Sequence, residues 1–161
     1  MAESLPQGLK LDRFSFVTPN GLVNGLWACK RDFKKYPQPY PANFLKRVYA
    51  LLNVSSTSKI CHLFSGTIEA EYTVDLNPAS PAKYKEDATH THFPNAFFDV
   101  VLADPPYADA YAQRFGFEKT PKIKYIMREM RRLTKPNGYY GLLHFRVPID
   151  WFRESGCHRC D

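Results

Sequence analysis

The chain lacks the apolar runs and leader patterns that would place it in or across a membrane. No stretch approaches the roughly 18 consecutive apolar residues of a membrane-spanning helix. Its first residues contain no charged segment followed by an apolar one, so we expect no secretory signal peptide. The four cysteines are scattered rather than spaced as a disulfide framework. We therefore expect reduced cysteines and a cytoplasmic protein.

Several sequence signatures are also missing. We find no internal repeat, no low-complexity tract, no phosphate-binding glycine loop and no Ser/His/Asp arrangement. The length of 161 residues predicts a single compact domain over 1–161. Net charge is +6, and aromatic residues make up 15% of the chain. This basic balance favours a polyanionic partner, nucleic acid first. A basic surface without such a partner is the alternative.

The most informative motif is Asp104-Pro105-Pro106-Tyr107, which follows the apolar run Phe97–Ala103. The run predicts a buried parallel strand. Ligands of open α/β sheets bind at the carboxyl ends of such strands. Asp104 and a backbone carbonyl can accept hydrogen bonds from an exocyclic amino group, while the prolines fix φ and remove donors. The Tyr107 ring can stack on a planar base.

This tetrapeptide resembles the D-P-P-Y catalytic motif of the S-adenosylmethionine-dependent amino methyltransferases, which methylate N6 of adenine or N4 of cytosine. The resemblance implies that Asp104, Pro105, Pro106 and Tyr107 are catalytic and that S-adenosylmethionine is the cofactor. It implies transfer of a methyl group to a base of DNA, with adenine N6 first, cytosine N4 next and RNA as a further option. It also implies a Rossmann-like class I fold, in which a mostly parallel sheet carries helices on both faces.

Two upstream segments resemble the cofactor-binding motifs of the same family. Leu63-Phe64-Ser65-Gly66 follows a predicted strand over 59–64 and is similar to the F-x-G loop, in which glycine allows close backbone approach. Asp75 ends a second predicted strand, where an acid typically accepts hydrogen bonds from ribose hydroxyls. The resemblance assigns Phe64, Ser65, Gly66 and Asp75 to the cofactor.

The cofactor loop also departs from the family pattern. His62 stands at the position of an acid, and Ile68 stands at that of a second glycine. Only nine positions separate Gly66 from Asp75, fewer than the dozen or so residues of a normal crossover helix. We therefore expect the first crossover helix to be missing or reduced to a turn. The protein would be a compact, divergent form of the family.

Asp87 and Ala88 occupy the place where the family has a third acid, which contacts the cofactor's adenine amino group. The resemblance therefore adds these two residues, and Asp104 itself, to the cofactor site. A surface acid in a loop is the alternative reading of Asp87.

Candidate nucleic-acid contacts lie in two segments. The basic, aromatic-interleaved stretch 30–36 could follow a phosphate backbone while its rings stack on bases. A solvated loop explains it equally well. The segment 108–124 after Tyr107 reads as a polar, aromatic loop of the kind that acts as a lid or contacts the base. The candidates from the two segments are Lys30, Arg31, Lys34, Lys35, Tyr111 and Arg114.

The remaining pattern outlines the core. Helices are predicted over 41–52 and 121–133 from one-sided apolar spacing, and a final strand over 139–148 follows a predicted helix stop at 135–138. The chain then divides into an irregular segment 1–39, a methyltransferase core 40–148 and a tail 149–161. Class I folds have two further strands after this point. We therefore expect a minimal enzyme, a partner that completes the sheet in a homo- or hetero-dimer, or a truncated chain.

Other readings have weaker support. Cys157 and Cys160 form a C-x-x-C pair, but zinc needs further ligands, so no metal site is predicted. The competing hypothesis is a non-catalytic methyltransferase-like subunit that binds nucleic acid or supports an active partner. The intact Asp104–Tyr107 motif argues against it.

Overall fold

The structure, a computed structural model, describes residues 15–17, 23–25, 40–41, 43–114 and 118–144. Within them the helices are α1 (Phe44–Leu51), α2 (Asp109–Arg114) and α3 (Ile123–Leu133). The strands are β1 (Ser15–Val17), β2 (Val23–Gly25), β3 (Ile60–Leu63), β4 (Tyr72–Val74), β5 (Phe98–Ala103) and β6 (Thr134–Leu142). None of the helices in these ranges is long and apolar enough to cross a membrane.

A parallel four-stranded sheet forms the centre of the molecule. Its strand order is β4-β3-β5-β6, and every neighbouring pair is parallel. The register pairs Leu63 with Val74 on one side and with Ala103 on the other. A separate antiparallel pair, β1 with β2, lies near the start of the chain.

The sheet is covered on both faces, as predicted, because its inner strands are apolar on both sides. Val101 and Ala103 belong to the cluster that contains the apolar stripe of α3. Val100 and Leu102 alternate with them and pack against residues of α1. This period-two alternation is what a strand buried between two layers requires. The result is an α/β architecture with α1 and α3 on opposite faces.

The connection from β3 to β4 contains no helix, as the short spacing predicted. Turns fill residues 64–71 instead. Two other predictions were wrong. The segment 108–124, read as a loop, contains α2. The last strand begins at Thr134 directly after α3, rather than at Tyr139, and it runs through the predicted helix stop.

The early start of β6 depends on an irregular pairing with β5. The register shifts between Phe98 and Val100, and Asn137 has a left-handed φ of 64°. A Cβ at Gly138 would lie 2.7 Å from the backbone oxygen of Asp99. Glycine therefore allows this close approach of the two strands.

A buried carboxylate ties the loop before β5 to α3. Glu129 accepts hydrogen bonds from the amide and hydroxyl of Thr91 at 2.7 and 2.8 Å and pairs with Arg132 at 2.6 Å. Arg132 also donates to the carbonyl oxygens of Phe93 and Thr91. These hydrogen bonds hold residues 91–93 in place where the second crossover has no helix.

Candidate functional site

The candidate site lies at the carboxyl edge of the sheet, where β3, β4 and β5 end side by side. Since Leu63 pairs with Val74 and with Ala103, the next residues along the three strands are Phe64, Asp75 and Asp104. The strand order also reverses here, because the chain adds β4 on one side of β3 and then β5 on the other. Ligands of open α/β sheets bind in the crevice at such a reversal.

Asp104 and Tyr107 form a hydrogen-bonded pair at the end of β5. The Tyr107 hydroxyl donates to the Asp104 carboxylate and lies 3.2 Å from the carbonyl oxygen of Leu143, just after β6. The Tyr107 ring meets His144 edge-on, with centroids 5.2 Å apart. Tyr107 is therefore held by β5 and by the end of β6, and its hydroxyl fixes the orientation of the carboxylate. The predicted stacking of Tyr107 on a base stays a prediction.

Pro105 and Pro106 are both buried, whereas Asp104 and Tyr107 are partly exposed. Two consecutive prolines have no amide donors and have fixed φ angles. The turn after β5 therefore presents a carboxylate and a hydroxyl at the surface on a rigid backbone.

The loop after β3 has an unusual backbone. Phe64 and Gly66 adopt left-handed φ values of 54° and 55°. This conformation is free of strain for glycine but costs energy for phenylalanine, and such residues concentrate at functional sites. Ser65 lies between them, fully buried, and its hydroxyl has no hydrogen-bond partner among the residues that the structure describes. A buried hydroxyl without a partner is a group that a polar ligand would satisfy, so this loop fits a cofactor.

Asp75 supports the same loop from the end of β4. Its two oxygens accept hydrogen bonds from the amides of Gly66 at 2.7 Å and of Asn77 at 2.9 Å. The residue is 3% exposed, and burial raises the pKa of its carboxyl above the usual value, although these two bonds oppose the shift. Asp75 thus shapes the loop directly, and contact with ribose would use the remaining lone pairs of its oxygens.

Asp87 and Ala88 follow a fourth short parallel pairing. Tyr84 forms an isolated parallel bridge with Val74, which brings the following residues toward the same edge of the sheet. Asp87 Oδ1 accepts hydrogen bonds from the amide and hydroxyl of Thr89, both at 2.8 Å, and Ala88 is fully buried. Asp87 is exposed, and its contact with the adenine of a cofactor stays a prediction.

A group that the sequence did not point to is the aromatic cluster on the α1 face. His62 is buried, and its Nε2 lies 3.0 Å from the Tyr49 hydroxyl. Burial lowers the pKa of His62 to about 4, so the ring is neutral at neutral pH. Tyr40 packs edge-on against it. His62 is therefore a hydrogen-bonded core histidine. No local signal marks Tyr40, because its burial arises from tertiary packing.

The predicted nucleic-acid contacts are placed only in part. Lys30, Arg31, Lys34 and Lys35 lie outside the described residues, and Tyr111 and Arg114 belong to α2. Arg132, near the end of α3, pairs with Glu129, and Lys135, at the start of β6, pairs with Asp99. Four further basic residues at the start of α3 and along it are exposed and are called the basic stripe below: Lys122, Lys124, Arg128 and Arg131.

An exposed tyrosine lies within this basic stripe. The ring of Tyr125 is 40% exposed, with Lys124 Nζ 5.0 Å and the Arg128 guanidinium carbon 5.7 Å from its centroid. In proteins that bind single-stranded nucleic acid, cationic side chains follow the phosphate backbone and aromatic rings stack on bases. This surface has both kinds of group side by side.

Among the described residues, no group of three or more His, Cys, Asp or Glu side chains is arranged to hold a metal ion. Cys157 and Cys160 lie outside these residues. The chain was also compared with known proteins. No protein-family model, curated protein or solved structure matches it.

Proposed function

We propose that this chain is an S-adenosylmethionine-dependent methyltransferase that acts on an exocyclic amino group of a nucleic-acid base, with adenine N6 in DNA as the first substrate and cytosine N4 as the next. The observation that carries the proposal is the Asp104–Tyr107 turn at the carboxyl end of β5, beside the strained loop after β3. The Asp104–Tyr107 motif lies at the carboxyl end of a parallel strand, which is where open α/β sheets bind their ligands.

A Rossmann-like class I methyltransferase fold is part of the proposal. Taken in chain order, β3, β4, the Tyr84 bridge, β5 and β6 give the spatial order 3-2-1-4-5. It matches the first five strands of the doubly wound nucleotide-binding sheet, whose full order is 3-2-1-4-5-6. The absent crossover helices and the substitutions at His62 and Ile68 make the chain a reduced version of that fold.

The cofactor would lie across the ends of β3 and β4. Ser65 has an unsatisfied buried hydroxyl, and Gly66 permits close approach of the backbone. Asp75 and Asp87 would provide acceptors for ribose hydroxyls and for the adenine amino group. S-adenosylmethionine, when bound there, supplies a methyl group activated by its sulfonium.

Asp104 and the Pro105 carbonyl would hold the target amine through its two N–H groups and aim the nitrogen lone pair along the line of transfer. Tyr107 fixes the Asp104 carboxylate through its hydroxyl. Orientation of this kind lowers the barrier without any covalent intermediate on the protein. In a duplex the base must leave the stack to reach the turn.

The second candidate function is a non-catalytic methyltransferase-like subunit that binds nucleic acid or supports an active partner. The observation that favours it is the reduced loop after β3, in which Ile68 replaces the second glycine and no helix follows. An enzyme must bind the cofactor, whereas a supporting subunit need not.

The test is transfer of labelled methyl from S-adenosylmethionine to separate DNA and RNA pools, followed by digestion and identification of the labelled nucleoside. We expect N6-methyladenosine in its deoxy form from the DNA pool. Label in deoxycytidine would correct the base, and label in RNA alone would correct the nucleic acid. No label in either pool, together with no cofactor binding by calorimetry, would contradict the proposal and favour the supporting subunit.

A further inference from the structure

The Tyr40 hydroxyl is an unsatisfied polar group in the interior of the protein. Tyr40 is 6% exposed, and its hydroxyl finds no hydrogen-bond partner among the described residues. Leaving a buried donor unpaired costs about 1–3 kcal/mol, so such groups are rare in native proteins and need an explanation. The unpaired Tyr40 hydroxyl therefore indicates that a bound ligand supplies its hydrogen-bond partner.

The ring that carries this hydroxyl is held firmly. It stacks on Phe44, the first residue of α1, with centroids 5.3 Å apart and an interplanar angle of 13°. It also meets His62 edge-on at 5.9 Å, and the Tyr49 hydroxyl fixes the His62 ring in turn. These two ring contacts, with Phe44 and with His62, do not involve the Tyr40 hydroxyl.

Tyr40 also lies beside the proposed catalytic pair. It belongs to the cluster on the α1 face with Val100 and Leu102, and alternation along β5 places Asp104 on that same face. Burial, followed by the negative charge of Asp104, raises the pKa of the Tyr40 hydroxyl well above its usual value. The hydroxyl therefore stays protonated and acts as a donor.

We propose that Tyr40 is a specificity-determining residue whose hydroxyl donates to the ring nitrogen next to the target amine: N1 of adenine or N3 of cytosine. This inference rests on the proposed function. Asp104 accepts a hydrogen bond and Tyr40 donates one at the same site. Together they match a base edge that has an amino donor next to a ring-nitrogen acceptor. On their Watson–Crick edges, adenine and cytosine both carry an amino donor beside a ring acceptor, whereas guanine presents a ring N–H beside its amine.

The experiment removes the Tyr40 hydroxyl from the protein and the ring nitrogen from the base, separately and together. Methyl transfer is measured for the wild type and for Tyr40→Phe on oligonucleotides that contain adenine or 1-deazaadenine, in which a C–H replaces N1. With cytosine as the acceptor, 3-deazacytosine takes that place. Replacing the normal base with its deaza analogue should lower kcat/KM of both proteins. We expect the loss to be about fivefold to tenfold larger for the wild type than for Tyr40→Phe, because only the wild type loses a hydrogen bond.

The melting temperature of Tyr40→Phe is compared with that of Tyr49→Phe. The Tyr49 hydroxyl has a hydrogen-bond partner in His62, whereas the Tyr40 hydroxyl has none among the described residues. We expect Tyr49→Phe to lower the melting temperature and Tyr40→Phe to leave it unchanged or raise it. Tyr40→Phe should also bind S-adenosylmethionine like the wild type, since the contact is made to the base.

The possible results separate this inference from the proposed function. An active wild type whose loss on the deaza base equals that of Tyr40→Phe would overturn the role of Tyr40 and leave the enzyme intact. A melting temperature lowered equally by both variants would show a structural hydroxyl and overturn it as well. A wild type that transfers no methyl to any pool would overturn the proposed function together with this inference.

Discussion

The Gly66 amide donates a 2.7 Å hydrogen bond to Asp75 Oδ2, so the end of β4 holds the loop that follows β3. The second Asp75 oxygen accepts from the Asn77 amide, and the Ser80 hydroxyl donates to the Gly66 carbonyl at 2.6 Å. These bonds hold the loop in a connection that contains no helix. The ends of two adjacent strands, β3 and β4, therefore determine the shape of this loop together.

We predict that Asp75→Ala will lower the free energy of unfolding by about 2–3 kcal/mol, because it leaves two buried amides without acceptors. Urea denaturation measures the change, with Glu69→Gln as an exposed carboxylate control that should stay within about 0.5 kcal/mol of wild type. Equal stability of Asp75→Ala and wild type would show that the Asp75 hydrogen bonds do not organise the loop.

Gly66→Ala should weaken cofactor binding as well as stability. A left-handed φ of 55° costs alanine about 1–2 kcal/mol, and the loop is expected to relax away from its ligand-binding form. The control is Gly138→Ala, in which a Cβ would meet Asp99 and Thr134 far along the strands from the site. We expect both variants to melt earlier and only Gly66→Ala to lose S-adenosylmethionine affinity in calorimetry. Equal affinity in the two variants would contradict the placement of the cofactor loop.

His62 should make stability fall on acidification. Its pKa is near 6.5 in the unfolded chain and about 4 in the fold, so the unfolded state binds more protons between these values. Stability is therefore full above pH 6.5 and declines as the pH falls to 4, by about 3 kcal/mol for this residue. His62→Gln removes the titration. Denaturation at pH 7 and pH 4 should give a smaller drop for the variant, and identical drops would show that His62 is not buried as a neutral ring.

Glu129 should be structural rather than functional. Glu129→Ala leaves Thr91 and Arg132 without their acceptor, and breaking a buried pair of this kind is expected to cost about 3 kcal/mol. Arg131→Ala, at an exposed neighbour, should change stability little. Thermal melts of both variants provide the measurement. A stable Glu129→Ala would mean that residues 91–93 are held by packing alone.

The sequence was sufficient to predict the strands and helices whose apolar residues form one continuous buried surface. The runs before Gly66 and Asp104 predicted β3 and β5, and one-sided apolar spacing predicted α1 and α3, because these patterns follow directly from contact with a core on one or both faces. The same patterns placed the candidate residues at one edge of a parallel sheet. The spacing of nine positions from Gly66 to Asp75 correctly excluded a crossover helix.

Features that depend on distant contacts were missed. The helix ends at Leu133, as predicted, but β6 already begins at Thr134 because β5 offers an edge to pair with, and this pairing includes Pro136 in the strand. Helix α2 is six residues long and has too short an apolar pattern to be read. Tyr40 precedes a helix in an ordinary Tyr-Pro sequence, and its burial beside Asp104 arises only when α1 packs on the sheet.

The most direct test of the central claim is methyl transfer by Asp104→Asn, compared with wild type at equal occupancy of S-adenosylmethionine. The amide keeps the shape of the side chain but removes its charge and one of its two acceptor oxygens. We predict a loss of transfer of at least about a hundredfold with cofactor affinity nearly unchanged. A variant that transfers methyl groups as fast as wild type would contradict the role of Asp104 and the reading of the turn after β5 as a catalytic centre.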